Sequence, residues 1–471
     1  MDRANSQFQP ETATPGLPQG RMALLFAVML ITAAGNTAMQ SVMPSIGTHL
    51  GIADVWVSLA YSWSALLWMV MAPFWARRSD QSGRKAMMAL GLGAFALSFA
   101  LCGAALLAGL KGIVGGMTAI ILFALARSLY GTFGSAAPPA VQAYVASRTS
   151  RAERTKALSM VASSFGLGTA LGPALAPLLI LPGIGLIGPF AGFTLGALAV
   201  LMLLRLRLPD DSPQDGEMAL EHGAPHVPPA AAATPRAGRV QAFGEHADSW
   251  TGGIDATDSD ADGADGADES GRPGTTDGRL RWADPRIRPW LIAGTLGGQA
   301  QSIMLGVIGF MLLDRLGLRH QPDAAAGPIG LVLMCGAIAM LLAQWGLIPM
   351  LALGPRLSTV IGMALVVVGT LPVALGQNLH AIAMGFAICS VGFGLFRPGF
   401  TSGISLAVSL PEQGQAAGIV AAVNGSAYIV SPAIGVWLYN HSPWMVWALI
   451  EALVVIVLLL LARDRRAGRA G

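Results

Sequence analysis

Charged side chains are scarce in this chain. They make up 12% of the 471 residues, while 54% are hydrophobic; a soluble globular domain has about 25% charged residues. So little polar surface cannot cover that apolar mass, which points to lipid as the solvent. Lysine is nearly missing, with 3 Lys against 26 Arg, and the net charge is only +3. The arginines form no stripe interleaved with aromatics, so a nucleic-acid partner is excluded. Cysteine is limited to Cys102, Cys335 and Cys389, all inside apolar runs. They have neither metal-ligand spacing nor an even count and read as buried packing residues. No cluster of His, Asp or Glu lies at the ends of the apolar runs, and no nucleophile has a base nearby in sequence, which argues against a membrane enzyme and against any cofactor or metal.

Long apolar runs are what the chain does have. A spanning helix needs about 20 predominantly apolar residues, each adding about 1.5 Å across a core of about 30 Å. Twelve stretches qualify: 22–44, 55–75, 86–108, 116–140, 157–180, 185–204, 289–313, 327–350, 358–376, 380–402, 415–438 and 443–462. Only Arg127, Arg397 and Glu451 are charged within them. The runs lack period-two alternation and are too long for barrel strands. The first follows twenty mostly polar residues and continues past Val42, so it reads as an uncleaved span rather than a signal peptide.

Orientation follows from Lys and Arg near the span ends. Loops and tail on one side hold thirteen, from Arg77 to Arg469, against Lys111, Arg315 and Arg319 on the other. Both termini are therefore expected in the cytoplasm, with the chain in the cytoplasmic (inner) membrane. From Pro209 to Asp284 the apolar pattern stops in a tract rich in Pro, Ala, Gly and Asp, the composition of a disordered linker. The expected organisation is an N-terminal tail (1–20), a six-helix bundle (21–207), the linker (208–285), a second six-helix bundle (286–463) and a C-terminal tail (464–471). Within the linker, Asp258, Asp260, Asp262, Gly263 and Glu269 have the spacing of a calcium loop. Their flanks are Gly, Thr and Pro rather than amphipathic helices, so no calcium site is expected.

The position of the linker suggests duplication. Span five carries Gly172-Pro173-Ala174-Leu175-Ala176 and span eleven Ser431-Pro432-Ala433-Ile434-Gly435, while Gly83-Arg84-Lys85 precedes span three and Gly354-Pro355-Arg356 precedes span nine. Each pair holds the same ordinal place in its half. Halves of equal topology enclose a cavity near the midplane.

The loop after span two runs from Ala76 to Lys85, and its Asp80, Gly83, Arg84 and Lys85 fall at the spacing of the loop signature of the major facilitator superfamily, which it resembles. Ala76 stands where that family usually has Gly. Gly83 tolerates the positive φ of a tight turn, and Asp80 can accept from the amides at the start of span eleven. Such a contact would latch one conformer closed on the cytoplasmic side; the plainer reading is that these charges anchor the loop at the membrane surface. Span four carries Arg127 followed by Gly131 and Gly134, similar to the family's fourth-helix motif. Arg127 lies about 14 Å from the outer end of its span. A cation there costs at least about 2.5 kcal/mol, so it must face a wet cavity or a partner. Coupling or substrate contact is one role, an interhelical hydrogen bond the other. In span five, Gly168, Gly172 and Pro173 resemble the antiporter motif of drug and proton exchangers, a bent and closely packed gating helix.

The resemblance implies an all-α membrane protein with twelve transmembrane helices in two pseudo-symmetric six-helix bundles. It also implies a secondary transporter exporting small amphipathic or cationic compounds by proton antiport, and acting as a monomer. A metabolite permease or importer of the same superfamily is the alternative, and a nontransporting sensor built on the linker a more distant one. Many relatives carry an acidic residue in span one, where this chain has Asn36 and Gln40, neither of which titrates. Gln299 and Gln301 in span seven, Asn424 and Tyr428 in span eleven, and Tyr61 in span two are candidate substrate contacts or interhelical hydrogen bonds. Arg397 lies about 24 Å from the outer end of span ten, lining an inner vestibule or snorkelling to headgroups. Glu451, the only carboxylate inside a span, falls on a helix that the family places at the periphery.

Overall fold

The computed structural model describes residues 18–149, 151–209, 280–351, 353–409 and 412–467; at 76, 77, 79–82, 151–156, 159, 162, 413, 414 and 463–467 it describes the backbone alone. The linker tract and its calcium-like spacing lie outside the described residues, and so does the Asp80 side chain.

Every regular element among the described residues is helical. The first half comprises α1 (Gln19–His49), α2 (Asp54–Ser82), α3 (Arg84–Leu110), α4 (Gly116–Phe133), α5 (Ala137–Ala146), α6 (Arg151–Leu175) and α7 (Gly188–Arg207). The second comprises α8 (Arg288–Arg315), α9 (Pro322–Leu342), α10 (Ile348–Leu351), α11 (Pro355–Leu375), α12 (Leu379–Leu406), α13 (Gln413–Ser426), α14 (Ser431–His441) and α15 (Pro443–Ala467). A 3-10 turn at Gly134–Ala136 carries α4 into α5, and a π-turn at Ala343–Leu347 carries α9 into α10. By length and composition, eleven spans among the described residues are long and apolar enough to cross a membrane. The chain is a polytopic all-α membrane protein, because in a bilayer the helix is the element that satisfies every backbone amide within one segment.

Four expected spans are interrupted, 116–140 and 327–350 at the two turns just given and two more at prolines. The stretch expected at 157–180 is α6 starting earlier, at Arg151, and ending at Leu175, with a separate 3-10 turn at Pro177–Leu179. Pro177 lacks the N–H that would continue the ladder. The stretch expected at 415–438 is two helices, because Pro432 at the start of α14 again withholds an amide. Apolar composition is unbroken across both points, so hydropathy reads through them.

Packing is set by small residues. A Cβ on Gly168 would lie 2.6 Å from Leu30 O, and one on Gly172 would overlap Ala34 O and Thr37 Oγ1. Backbones in such contact gain dispersion energy that lipid tails cannot supply between bulkier helices. The two halves meet at the face remote from the start of α1, called here the far face. There Gly309 of α8 packs against Pro44 of α1, and Gly330 of α9 against Pro173 O and the Pro177 ring, at 2.6 to 3.2 Å for an added Cβ. At the opposite face, Arg286 pairs with Asp284 and Glu412, both at 2.8 Å, and Leu280 N donates to Gln415 Oε1 at 2.7 Å. This clips the segment entering α8 to the connection between α12 and α13.

Two expectations follow. Gly172→Val should force α1 and α6 apart and cost about 1–3 kcal/mol or more, read as a fall in the unfolding temperature in detergent. The second concerns Glu412, which Arg286 first, then the Ser409 amide and hydroxyl, hold down to about 2 from an ordinary 4.5. A carboxylate held low contributes stability that is complete above its unfolded value and is lost as pH falls through the folded one. The unfolding-temperature gap between wild type and Glu412→Gln should therefore stay level down to about pH 5 and shrink only below about 4.5.

Candidate functional site

Arg127 is the centre of the first half. It lies eleven residues into α4, about 17 Å along the axis, and is 5% exposed. Its Nη2 donates to Asn36 Oδ1 at 3.1 Å, and Asn36 Nδ2 donates to Thr32 O at 3.0 Å and to the Tyr130 hydroxyl at 2.6 Å. The guanidinium carbon stands 4.8 Å from the centroid of the Tyr130 ring and 6.0 Å from that of Phe99. These ring faces and one amide oxygen do the work a counter-ion would otherwise do, since ring quadrupoles attract a cation most strongly where water is excluded. Among the described residues, Arg127 Nε and Nη1 and the Tyr61 hydroxyl are buried without a hydrogen-bond partner.

Local sequence explains the arrangement. Gly131, one turn after Arg127, lets α4 approach α2 so closely that a Cβ would sit 2.6 Å from Ser64 O. The Ser64 hydroxyl donates to Arg127 O at 3.3 Å. Tyr61 packs edge-on against Phe123 and Phe95 edge-on against Tyr130, while Phe95 and Phe99 are tilted at 35°. Gly35 and Asn36 of α1 pack against this aromatic group.

On α1 the accessible face carries Asn36, half-buried, and Gln40 one turn further on, exposed. In the second half Gln299 on α8, Asn424 on α13, Tyr428 in the turn before α14 and Arg397 on α12 are half-buried, whereas Gln301 is buried. The Ser302 hydroxyl donates to Ala427 O at 2.7 Å, which brings the Gln299 helix against the turn holding Tyr428. Asn36, Arg127 and Tyr130 are brought together; Gln40, Gln299, Arg397, Asn424 and Tyr428 are not joined to them by hydrogen bonds among the described residues. Glu451 lies on α15 beside Thr370 of α11 and Cys389 of α12, away from Arg127. Cys102 and Cys389 are buried as expected, while Cys335 is only half-buried.

The loop expected from Ala76 to Lys85 is helical except at Gly83, since α2 runs to Ser82 and α3 starts at Arg84; Gly83 has φ +84°, the left-handed backbone expected of it. Arg84 hydrogen-bonds Ser147, and Lys85 Nζ donates to Arg205 O at 3.1 Å. Both contacts stay within the first half.

A second cluster was not anticipated. At the far face Arg319, in the turn after α8, grips Asp54 at the start of α2 with two parallel bonds, Nη1 to Oδ1 at 3.0 Å and Nη2 to Oδ2 at 2.7 Å. It also pairs with Asp314, to which Tyr439 hydrogen-bonds. These carboxylates, Asp54 foremost, hold the Arg319 guanidinium above its ordinary pKa. The cluster lines a cavity of about 580 Å³ with Arg315, Asn440 and Pro443. Asp54 precedes the apolar run and reads in sequence as a helix-start acid; nothing local ties it to a residue 265 positions away.

This all-α arrangement of long apolar helices matches known proteins. A family model described as Major Facilitator Superfamily matches residues 25–409. The chain belongs to the Major Facilitator Superfamily. Membership in this superfamily assigns it transport rather than catalysis. Two relatives are "Multidrug resistance protein 2" and "Multidrug resistance protein 1" of Bacillus subtilis (strain 168), 29% identical over 38% of this chain and 28% over 42%. The chain spans less than half the length of each, 40% and 48% respectively. Among solved structures, a bacterial homologue of the human lysosomal transporter Spinster, in an inward-facing and occupied conformation, superposes with TM-score 0.64 at 11% identity, over 96% of this chain and 97% of that one. A D-xylose–proton symporter superposes with TM-score 0.63 at 13% identity, over 93% and 97%. These superfamily structures share the fold.

Asn36 is the one side chain that hydrogen-bonds the Arg127 guanidinium among the described residues. Asn36→Ala should cost about 1.5–3 kcal/mol, the worth of a hydrogen bond to a charged group, measured by thermal unfolding; Asn36→Asp should not show that loss.

Proposed function

We propose that this chain is a twelve-helix exporter of small amphipathic compounds, driven by proton antiport and working by alternating access. The observation that carries the reading is Arg127, a mid-depth cation with two guanidinium nitrogens unpartnered among the described residues, directly behind the accessible Asn36. A charge so placed responds to whatever binds or titrates beside it, because low dielectric strengthens every nearby interaction.

In this reading α6 is the fifth span, and the halves 21–207 and 286–463 rock about a cavity faced by Asn36, Gln40, Gln299, Arg397, Asn424 and Tyr428. Residues 208–285 link the halves on the cytoplasmic side, where both termini lie, in the inner membrane. The names of the Bacillus relatives support export of foreign compounds, and the contacts of Gly168 and Gly172 with α1 and of Pro173 with Gly330 of α9 support a gating helix. The facing groups on α1, α8 and α13 are uncharged and the mid-depth charge is positive, so an uncharged amphipathic solute fits better than a cation. Asp80, with Gly83, Arg84 and Lys85, would favour the state closed on the cytoplasmic side.

Everted membrane vesicles, acidic inside, test the reading. Uptake of an amphipathic dye should follow the proton gradient, and Arg127→Gln should lower it at least tenfold with the protein still folded. Uptake indifferent to the gradient would leave a permease. Asp80→Asn should shift cysteine accessibility between the two faces while leaving substrate Kd unchanged; the reverse pattern sinks the latch.

A further inference from the structure

Proton antiport needs a group that binds a proton in one conformer and not in the other, and the spans offer no carboxylate near Arg127. The far face does. Asp54 belongs to the first half and Arg319 to the second, and the two parallel bonds between them, at 3.0 and 2.7 Å, cross the boundary along which the halves part. Asp54 is 4% exposed, and its hydrogen bonds among the described residues are to Arg319. The other groups of the cluster are committed within the second half. Asp314 is held by Arg319 and by Tyr439 of α14, and Arg315 Nη2 donates to Ala374 O of α11 at 3.0 Å. Pro443, from α15, adds no charge.

From this geometry we infer that Asp54 is a proton-binding site whose occupancy opens the far face. A carboxylate that carries a proton has no negative charge to offer a guanidinium, so protonation of Asp54 and closure by Arg319 exclude each other. The contacts that close this face include Pro44 with Gly309, Pro173 and Pro177 with Gly330, and this ion pair. The first three are apolar or backbone contacts indifferent to pH. Of these four, the Asp54–Arg319 bond is the one that acid breaks. Linkage makes the effect reciprocal: acid favours the open far face, and opening favours uptake of the proton. Because Asp54 must lose its proton before the far face closes, the pair sets the opening of that face by acid and does not itself carry the proton across.

The inference rests on the antiport reading for its purpose, but its test does not need a substrate. Spin labels at Lys111 and Gln321, exposed far-face positions in opposite halves, report the opening of the full chain in lipid nanodiscs by their distance distribution, with the three native cysteines replaced by alanine. In wild type the long-distance population should grow several-fold between about pH 7 and about pH 3, a range that contains the ordinary carboxylate values. Asp54→Asn and Arg319→Gln should each hold the long distance at every pH, and Asp314→Asn should keep the wild-type response. A wild-type distance indifferent to pH, or an Asp54→Asn chain that responds as wild type does, overturns the proposal. If acid opens the far face but dye uptake ignores the proton gradient, only the antiport reading fails. If uptake follows the gradient while Asp54→Asn still closes and opens with pH, only this proposal fails.

Discussion

A bilayer offers no water to an unpaired amide, and this constraint shapes nearly every feature of the chain. It forces the apolar runs into helices whose hydrogen bonds close within one segment. It also makes each departure from the helix a local event with an assignable cause. The breaks at Pro177 and before Pro432 fall where an amide is missing. Pro177 packs against Gly330 of the opposite half, and the backbone of Pro432 against Gly306 of its own half.

The same constraint governs charge. Arg127 enters the membrane interior without a carboxylate beside it and is accommodated by an amide oxygen and two ring faces. A carboxylate partner would neutralise it permanently and make the site deaf to anything that binds. Partial compensation leaves the guanidinium stable enough to fold and unsatisfied enough to respond. Glu451 shows the other solution: it is set among α11, α12 and α15, far from the moving boundary.

Hydropathy made the helices legible, since an apolar run of twenty residues has few alternatives. Breaks inside continuous apolar runs were not, because Pro432 alters backbone bonding without altering hydropathy. Arg127 stood out as the lone cation of its half's spans, and Asn36 as an amide where an acid was expected, but their contact spans 91 positions and only the fold creates it. Tyr130 could have been found: it lies three residues after Arg127, on the same helical face. Asp54 carries no signal in the sequence, and Arg319 only that of a positive charge on the sparser side.

That last oversight has a physical lesson for transporters of this kind. The search for a coupling carboxylate looks inside the spans, where burial makes a charge conspicuous. A gate imposes a different requirement, that the titrating group lie across the surface that opens, so that one proton changes the number of bonds between halves. Depth adds nothing to that condition. Asp54 meets it at the edge of the membrane, where water on the opening side can deliver the proton directly, and Arg127, though deeper and better shielded, bonds only within its own half.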